Sequence, residues 1–345
     1  MILLWNRKFW NFLRSENLDK VMIIIIIIIT INTITISWLE PDISKADAFW
    51  WSIVTLTTVG YGDITPVTVG GRFIAILDMF VGIGFLAIFT ATLAGIFVDQ
   101  KIKNDLGMGS YKFNNHLIIS EWNSRAQFII NELRKFPKTQ DDKIILIANI
   151  DRKPIEDNNL FFIKGNVCDE TLNRANLIQA RTVIILGDDS IDETARDAKV
   201  ILSTLTVESI NPNAYTVVEL VDETHVKSCQ RAKVDEIIVS SELSSMLISQ
   251  AALNHGITKV VSEILSTQSG NKLYKIAIPE SRVGSSFMEV FTYMKQAYQS
   301  IVLAVQKGIE GDVISNPPTD YKLENGDYLI VVAQDEPRPL QKSST

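Results

Sequence analysis

The chain has 345 residues, is 46% hydrophobic and carries 40 acidic against 33 basic side chains, a formal net charge of −7. That balance argues against a nucleic-acid partner. Two cysteines, Cys168 and Cys229, offer no disulfide framework and suit a reducing compartment. Residues 1–20 interleave Trp5, Phe9, Trp10, Phe12 and Leu13 with Arg7, Lys8, Arg14 and Lys20. They read either as an interfacial helix or as a plain lead-in. Residues 21–39 then run 19 positions without a charge, including seven consecutive isoleucines, Ile23–Ile29. About 20 apolar residues cross a bilayer, and each central isoleucine favours insertion by roughly 0.3–0.6 kcal/mol. A signal peptide would carry a shorter apolar run, about 7–15 residues, and a small-residue cleavage site. Here Trp38, Leu39, Glu40 and Pro41 follow instead.

Ala46–Thr57, ADAFWWSIVTLT, reads as a short helix. Too short to span, it is expected to be re-entrant and buried in protein rather than lipid. It leads into Thr57-Thr58-Val59-Gly60-Tyr61-Gly62-Asp63. A dehydrated cation needs a cage of oxygens, and main-chain carbonyls supply it only if they turn to one axis. Gly60 and Gly62 tolerate the φ > 0 conformations this demands. Thr58 adds a hydroxyl oxygen at the inner end, while Val59 and Tyr61 turn away and pack. Thr58–Gly62, TVGYG, is identified as the pentapeptide through which potassium channels replace the hydration shell of K+. A surface turn would explain the GYG but not its flanks. Asp63 lies within reach of the indole N–H of Trp50 or Trp51, a brace for the outer mouth. Val54, where some members of that family carry a glutamate, gives no second carboxyl group.

A second apolar stretch, Gly71–Val98, is interrupted only by Arg72 and Asp78. The order is therefore span, pore helix, filter, span. One chain supplies one filter strand, so a homotetramer is expected. Gly82 and Gly84 mark either a gating hinge or a close packing of helices, with the hinge preferred. Asp78 is an expensive group at membrane depth. It can face the cavity below the filter, sit there protonated, or be buried against the pore helix. Basic residues flank both spans on their outer sequence sides (Lys101, Lys103 and Lys112 after the second), whereas the connecting loop carries Glu40, Asp42, Asp47 and Asp63 against Lys45. The positive-inside rule puts both termini in the cytoplasm, across a cell inner membrane.

From Lys101 onward no stretch is long enough to span. Short β-rich runs at 116–120, 143–148, 161–164, 182–186, 215–220 and 236–239 alternate with amphipathic helices such as Ser124–Lys135, Asp192–Glu208 and Ser244–Asn254. Strand alternating with helix predicts a parallel, doubly wound sheet of Rossmann type. The segments HLIISEWNSRA, FFIKGNVCDETLNRANLIQARTVIIL and TVVELVDETHVKSCQRAKVDEIIV resemble a regulator-of-potassium-conductance (RCK) domain, with Gly165-Asn166-Val167-Cys168-Asp169, Leu172, Ala175 and Ala180 carrying the likeness. Residues 273–334 resemble that family's small C-terminal subdomain. The resemblance implies a membrane α-helical tetrameric pore, two spans plus a pore helix, fused to a soluble α/β Rossmann-like RCK domain with a small α+β C-terminal subdomain. It is similar to the calcium-gated potassium channels of methanogens. The expected divisions are 1–20, the pore 21–99, a linker 100–115, the Rossmann-like domain 116–265, the subdomain 266–335 and a tail 336–345. The resemblance also implies RCK domains paired into a ring whose ligands act on the pore-lining helices. Additional soluble ring subunits are possible, and Met108 stands where one could start.

Two ligand classes follow from the resemblance. The glycines of a dinucleotide fingerprint are matched by Glu121, Asn123 and Ala126, so all three are lost. Glu121 opposes phosphate at the helix N-terminus, and Arg125 is placed to compensate. The acid expected after the second strand is Asn149, with Asp151 two residues on. Standard NAD binding is in doubt, and an adenine nucleotide held differently remains open. The carboxylates of the calcium-gated members match Gly187, Glu219 and Val221, and only Glu219 survives. Asp188, Asp192 and Glu193 beyond Gly187, with Asp222 beyond Val221, form either a displaced Ca2+ or Mg2+ site or a set of helix caps and solvated charges. His116, His225 and His255 lack metal-ligand spacing and read as structural. The leading expectation is a ligand-gated potassium channel, not an enzyme. The competing ones are a membrane-anchored dinucleotide-dependent oxidoreductase and a potassium pore with a constitutive scaffold ring.

Overall fold

The computed structural model describes residues 18–266, 270–309 and 311–337, and the chain falls into two compact units that part between Lys103 and Asn104. Almost all of the interfacial segment expected over 1–20, and most of the tail 336–345, lie outside the described residues.

The first unit holds α1 (Leu18–Leu39), α2 (Lys45–Leu56) and most of α3 (Val69–Asp105). At about 1.5 Å per residue, α1 and α3 are long enough to cross a hydrocarbon core of about 30 Å, and α2 is not. Both long helices are apolar enough for a span. Most isoleucines of α1 are exposed, as befits a lipid-facing surface, while Ile36 packs in a small core with Ala48, Trp51 and Ala75. Ser44 caps α2, its hydroxyl accepting the Asp47 N–H at 3.2 Å. Thr68 caps α3 by accepting the Gly71 N–H at 3.0 Å, and the Glu40 carboxylate accepts both the Thr68 N–H (2.9 Å) and its hydroxyl (2.7 Å). The buried end of α1 is thereby tied to the start of α3. That second helix does not stop near 99: it runs unbroken to Asp105, through the first six residues of the expected linker.

In the second unit, β1 (His116–Ser120), β2 (Ile144–Ala148), β3 (Leu160–Lys164), β4 (Ala180–Ile185), β5 (Tyr215–Leu220) and β6 (Glu236–Val239) form one sheet in the order β3-β2-β1-β4-β5-β6. Every pairing is parallel. Strands β1 and β2 are buried at every position, as near-continuous aliphatic runs in a doubly covered sheet should be. Helices α4 (Ser124–Lys135), α5 (Asp169–Arg174), α6 (Glu193–Ile210) and α7 (Val226–Arg231) complete the doubly wound pattern. Two hydrophobic cores lie against it, one containing Ile118, Ile145 and Val218, the other Ile119, Leu146 and Phe162. Helices α8 (Ser240–Leu253) and α9 (Ile257–Leu265) lead to a four-stranded antiparallel sheet, β7-β10-β8-β9, made of Lys272–Ala277, Tyr328–Ala333, Ile301–Gln306 and Val313–Ser315. Against it stands α10 (Phe287–Tyr298), opened by a Ser286/Glu289 capping box. This is the expected α+β subdomain.

Asp197, on α6, is fully buried. Its carboxylate accepts the N–H groups of Val221 and Asp222, each at 3.0 Å, and bonds His225 Nδ1 at 2.8 Å. It therefore fixes the turn leaving β5. Asp197→Ala strands two amides and an imidazole, and should lower the stability of the cytoplasmic unit by about 2–4 kcal/mol. Thermal unfolding of the purified channel measures it, and an unchanged midpoint would refute this role.

Candidate ion-conduction and ligand sites

Between α2 and α3 the backbone alternates in hand. Thr58, Gly60 and Gly62 have φ of 62°, 57° and 73°, with Val59 and Tyr61 between them on the ordinary side. In an extended strand successive carbonyls alternate sides, whereas a left-handed residue at every second position turns them to one side. Glycine adopts this readily. Thr58 does so against the preference of a β-branched side chain, a requirement sequence reading placed only on the two glycines. The Val54 carbonyl at the end of α2 accepts the N–H groups of Val59 (3.0 Å) and Gly60 (3.2 Å), anchoring the inner half of the loop.

At the outer end Trp50 Nε1 donates to Asp63 Oδ2 at 2.9 Å, and the Trp50 ring stacks on Tyr61 at 6.0 Å and 4°. The expected brace belongs to Trp50. Trp51 is instead a core residue, 5% exposed and packed on α1 and α3, so its assignment to filter support is corrected. Thr58 also tops a cavity of about 780 Å³ walled by Ile83, Leu86, Ala87, Thr90, Ala91 and Ala94 of α3. Asp78 does not line it. Buried at 3% exposure, its carboxylate accepts a hydrogen bond from Asn32 of α1. Gly82 lies against the end of α2: a Cβ there would stand 3.0 Å from the Leu56 carbonyl oxygen. Gly84 has open space, and α3 is continuous through both. The close approach gives Gly82 a packing role in this conformation.

The crevice at the C-terminal ends of β1 and β4, where strand order reverses and nucleotides usually bind, is filled by charge. Glu121 holds the left-handed φ of 68° that the first fingerprint glycine would have supplied, so the turn survives without it. Lys199 bonds Glu121 at 2.6 Å and Asp188 at 2.8 Å. Partial burial pushes Asp188 up, but the Lys199 ammonium and the Ser190 hydroxyl and amide outweigh it and hold the carboxyl at about 2. Asn123 caps α4, accepting the Ala126 N–H (2.9 Å) and donating to the Gly187 carbonyl (2.9 Å). Arg125 donates to Glu219 (2.8 Å), Asp189 (2.7 Å) and the Gly187 carbonyl (3.2 Å). It does not offset Glu121, whose partner is Lys199. Beyond β2, Asn149 is exposed and Asp151 pairs with Lys164 at 2.9 Å. Four of the five candidate nucleotide residues, Glu121, Asn123, Arg125 and Asp151, are thus each bound to other groups of the domain, and Asn149 is exposed.

The candidate metal carboxylates do not converge either. Asp188 is on Lys199, Asp192 caps α6 by accepting the Ala195 N–H (3.1 Å), Glu219 is on Arg125, and Asp222 accepts the Thr224 N–H (2.8 Å). Glu193 is exposed in the first turn of α6. Among the described residues no group of three or more His, Cys, Asp or Glu could hold a metal ion. Capping and ion pairing have taken these groups. His116 is buried with Nε2 2.8 Å from the Ala175 carbonyl, and burial keeps its pKa below the usual value.

Comparison with known proteins agrees with this architecture. An ion-channel family model matches residues 21–99, and the calcium-activated potassium channel slowpoke-like RCK domain matches 112–218. A model described as Castor and Pollux, part of voltage-gated ion channel, matches 241–345. A putative potassium channel protein of Bacillus subtilis is 30% identical over 336 residues, covering 95% of this chain and 99% of the relative. The chain belongs to the RCK-bearing potassium channels. A calcium-gated potassium channel of Thermoplasma volcanium is 29% identical, over 94% of each chain. The structure of the human SLO3 gating ring matches with a TM-score of 0.51 at 17% identity, over 64% of this chain and 44% of that one, a likeness of fold alone.

In this channel the sequence pointed to Thr58–Gly62, Trp50 and Asp63, and missed Lys199 and Asp197. Lys199 meets Glu121 and Asp188, neither of which lies on its helix, so helical spacing does not mark it. Lys199→Met leaves Glu121 and Asp188 facing each other without their cation. It should cost the cytoplasmic unit about 1–3 kcal/mol, less than a fully buried pair because Lys199 is partly exposed, and leave ion selectivity unchanged. For the pore, Gly82→Val should displace the end of α2 and cut potassium current at least about tenfold, whereas Gly84→Ala keeps it within about twofold. Equal currents from the two variants would overturn the packing role of Gly82.

Proposed function

We propose that four copies of this chain form a potassium-selective pore whose filter is Thr58–Gly62, opened and closed by a cytoplasmic ring of RCK domains that responds to a ligand. The observation that carries it is the left-handed backbone at Thr58, Gly60 and Gly62 beside the Trp50–Asp63 bond. Four such strands give an ion a cage of carbonyl oxygens. The cavity under Thr58 becomes the inner vestibule, and its walls, apart from Thr90, are apolar. The positive-inside pattern supports a topology with both termini in the cytoplasm and the acidic loop outside, where it concentrates cations.

The Thermoplasma relative is calcium-gated by name. The carboxylates of one chain here do not fit a calcium site, which needs six to eight oxygens. Nor does the ion-paired crevice fit a nucleotide pyrophosphate. Either site would need groups from a second chain to complete it.

The test is purified channel in planar bilayers, with calcium, magnesium, ADP and NAD added in turn. Wild type should pass potassium and rubidium and largely exclude sodium. Gly60 and Gly62 hold φ of 57° and 73°, and a Cβ there meets nothing of its own chain within 4 Å, so within one chain alanine acts through the backbone. The left-handed conformation costs roughly 1–2 kcal/mol per substituted residue, and a ring repeats that cost. Gly62→Ala should therefore abolish selective conduction. Trp50→Phe and Asp63→Asn should hasten the decay of current during sustained opening. Equal permeability to sodium and potassium in wild type would sink the filter assignment, and a ring indifferent to every ligand would leave the constitutive scaffold.

A further inference from the structure

Gly107 and Gly109 follow the pore-lining helix, and two glycines so close together would ordinarily make a pliable joint. They are instead the best-anchored part of the connection. The Asp105 carbonyl, at the last residue of α3, accepts the Lys153 N–H at 2.8 Å. The Gly107 carbonyl accepts the Lys164 N–H at 3.1 Å, at the end of edge strand β3. It also accepts a hydrogen bond from the Arg174 guanidinium. The Gly109 carbonyl accepts from Arg174 Nε (3.2 Å) and Nη2 (3.0 Å). The Tyr111 N–H donates to the Arg174 carbonyl (2.8 Å), and its hydroxyl to the Phe162 carbonyl (3.3 Å). The Tyr111 ring is buried beside Phe113 and Phe161. Gly107 has φ of 70°, and a Cβ there would come within 2.8 Å of the Phe162 ring and closer still to the Lys164 nitrogen. Its glycine serves close approach, not looseness.

Arg174 is the hub. It closes the short helix α5 and is half-buried, and its i−4 neighbour Glu170 stays largely exposed with only a 4.0 Å approach. The guanidinium is thus spent on main-chain carbonyls just past the C-terminal end of α3, where a cation is favoured by the helix dipole. A planar fork with fixed donors can hold two carbonyls at once, which a flexible ammonium cannot do as rigidly.

We propose that Arg174 is the positioning residue that couples the cytoplasmic domain to the pore: it locks residues 105–111 to β3 and α5, so that any displacement of the Rossmann sheet moves the end of the pore-lining helix without slack. This rests on the ring-gated reading above. It places the coupling at one side chain and makes the segment a stiff strap.

The experiment compares four full-length channels in bilayers under symmetrical potassium: wild type, Arg174→Ala, Arg174→Lys, and a chain with six glycines inserted after Lys103. Open probability is recorded without and with millimolar calcium as the probe. The insertion removes any pull and sets the uncoupled value. Arg174→Ala should move open probability at least about threefold from wild type, onto that of the insertion, with Arg174→Lys between, potassium selectivity unchanged, and any calcium response lost in both. Hydrogen exchange on the same channels gives a second readout. Amides across residues 106–111 and at Lys164 should exchange at least about tenfold faster in Arg174→Ala, while β1 and β2 keep their protection. Exchange rising throughout the sheet would show a merely structural role and overturn the proposal. If Arg174→Ala fails to assemble, Gly107→Ala, which breaks the strap from the other side, must reproduce the insertion or the proposal falls. An insertion that differs from wild type while Arg174→Ala does not would overturn the role of Arg174 and leave ring gating standing. An insertion that matches wild type in open probability would remove both.

Discussion

A bare potassium ion is satisfied only by several oxygens pointing inward at once, and a polypeptide presents its own carbonyls that way only where its backbone hand alternates. The pore unit is organised around that constraint. α2 ends against Gly82, and near that end the Val54 carbonyl receives the Val59 and Gly60 amides of the filter. Trp50 clamps the outer end through Asp63 and Tyr61. Trp51, one position on, turns away from it into the core shared by α1, α2 and α3. Adjacent tryptophans on one short helix thus serve two purposes, because consecutive helical positions point about 100° apart. The Thr58 conformation is the strained element, and it persists because both flanks are held.

In the cytoplasmic unit the Rossmann crevice keeps its shape while its chemistry is replaced. A phosphate-binding turn offers free amides and a helix dipole to an anion. Here Glu121 supplies the anion from within the chain and Lys199 neutralises it, while Arg125 ties α4 to β5 through Glu219. The result is a crevice cross-braced from β1 to β5. Asp197 adds a second brace by receiving the amides that leave β5. A domain built to move as one piece gains from such bracing, since displacement at one edge then reaches the other with little internal give.

The order of the elements was legible in the sequence because each carries its own local signal: uncharged apolar runs for the spans, β-branched runs for the strands, amphipathic spacing for the helices between them. Boundaries were less so. α8 starts at Ser240, not Ser244, since nothing between β6 and the helix breaks the chain. The filter was legible because its function is in the main chain and needs specific residue types. Ligand residues were not, because their partners are remote: Arg125 meets Glu219 across 94 positions, and no periodicity predicts that pairing. Of the carboxylates that read either as a displaced cation site or as caps and solvated charges, Asp188 and Glu219 are ion-paired, Asp192 and Asp222 cap backbone amides, and Glu193 is exposed.

The two glycines after α3 show the same limit in sharper form. Glycine means conformational freedom in an unfolded chain, but in a folded one it often means that something stands where a Cβ would be. At Gly107 that something is the end of β3 and the Phe162 ring. The consequence is mechanical. A ligand biases a pore only by its differential affinity for two shapes of the domain, and that difference reaches the pore undiminished only through a connection that does not itself deform. A helix unbroken to Asp105, followed by a strap whose carbonyls at 105, 107 and 109 are each held, is such a connection. On the coupling proposed for Arg174, the pliant element of the gate lies elsewhere, in α3 above Lys103 or in contacts between copies of the cytoplasmic domain.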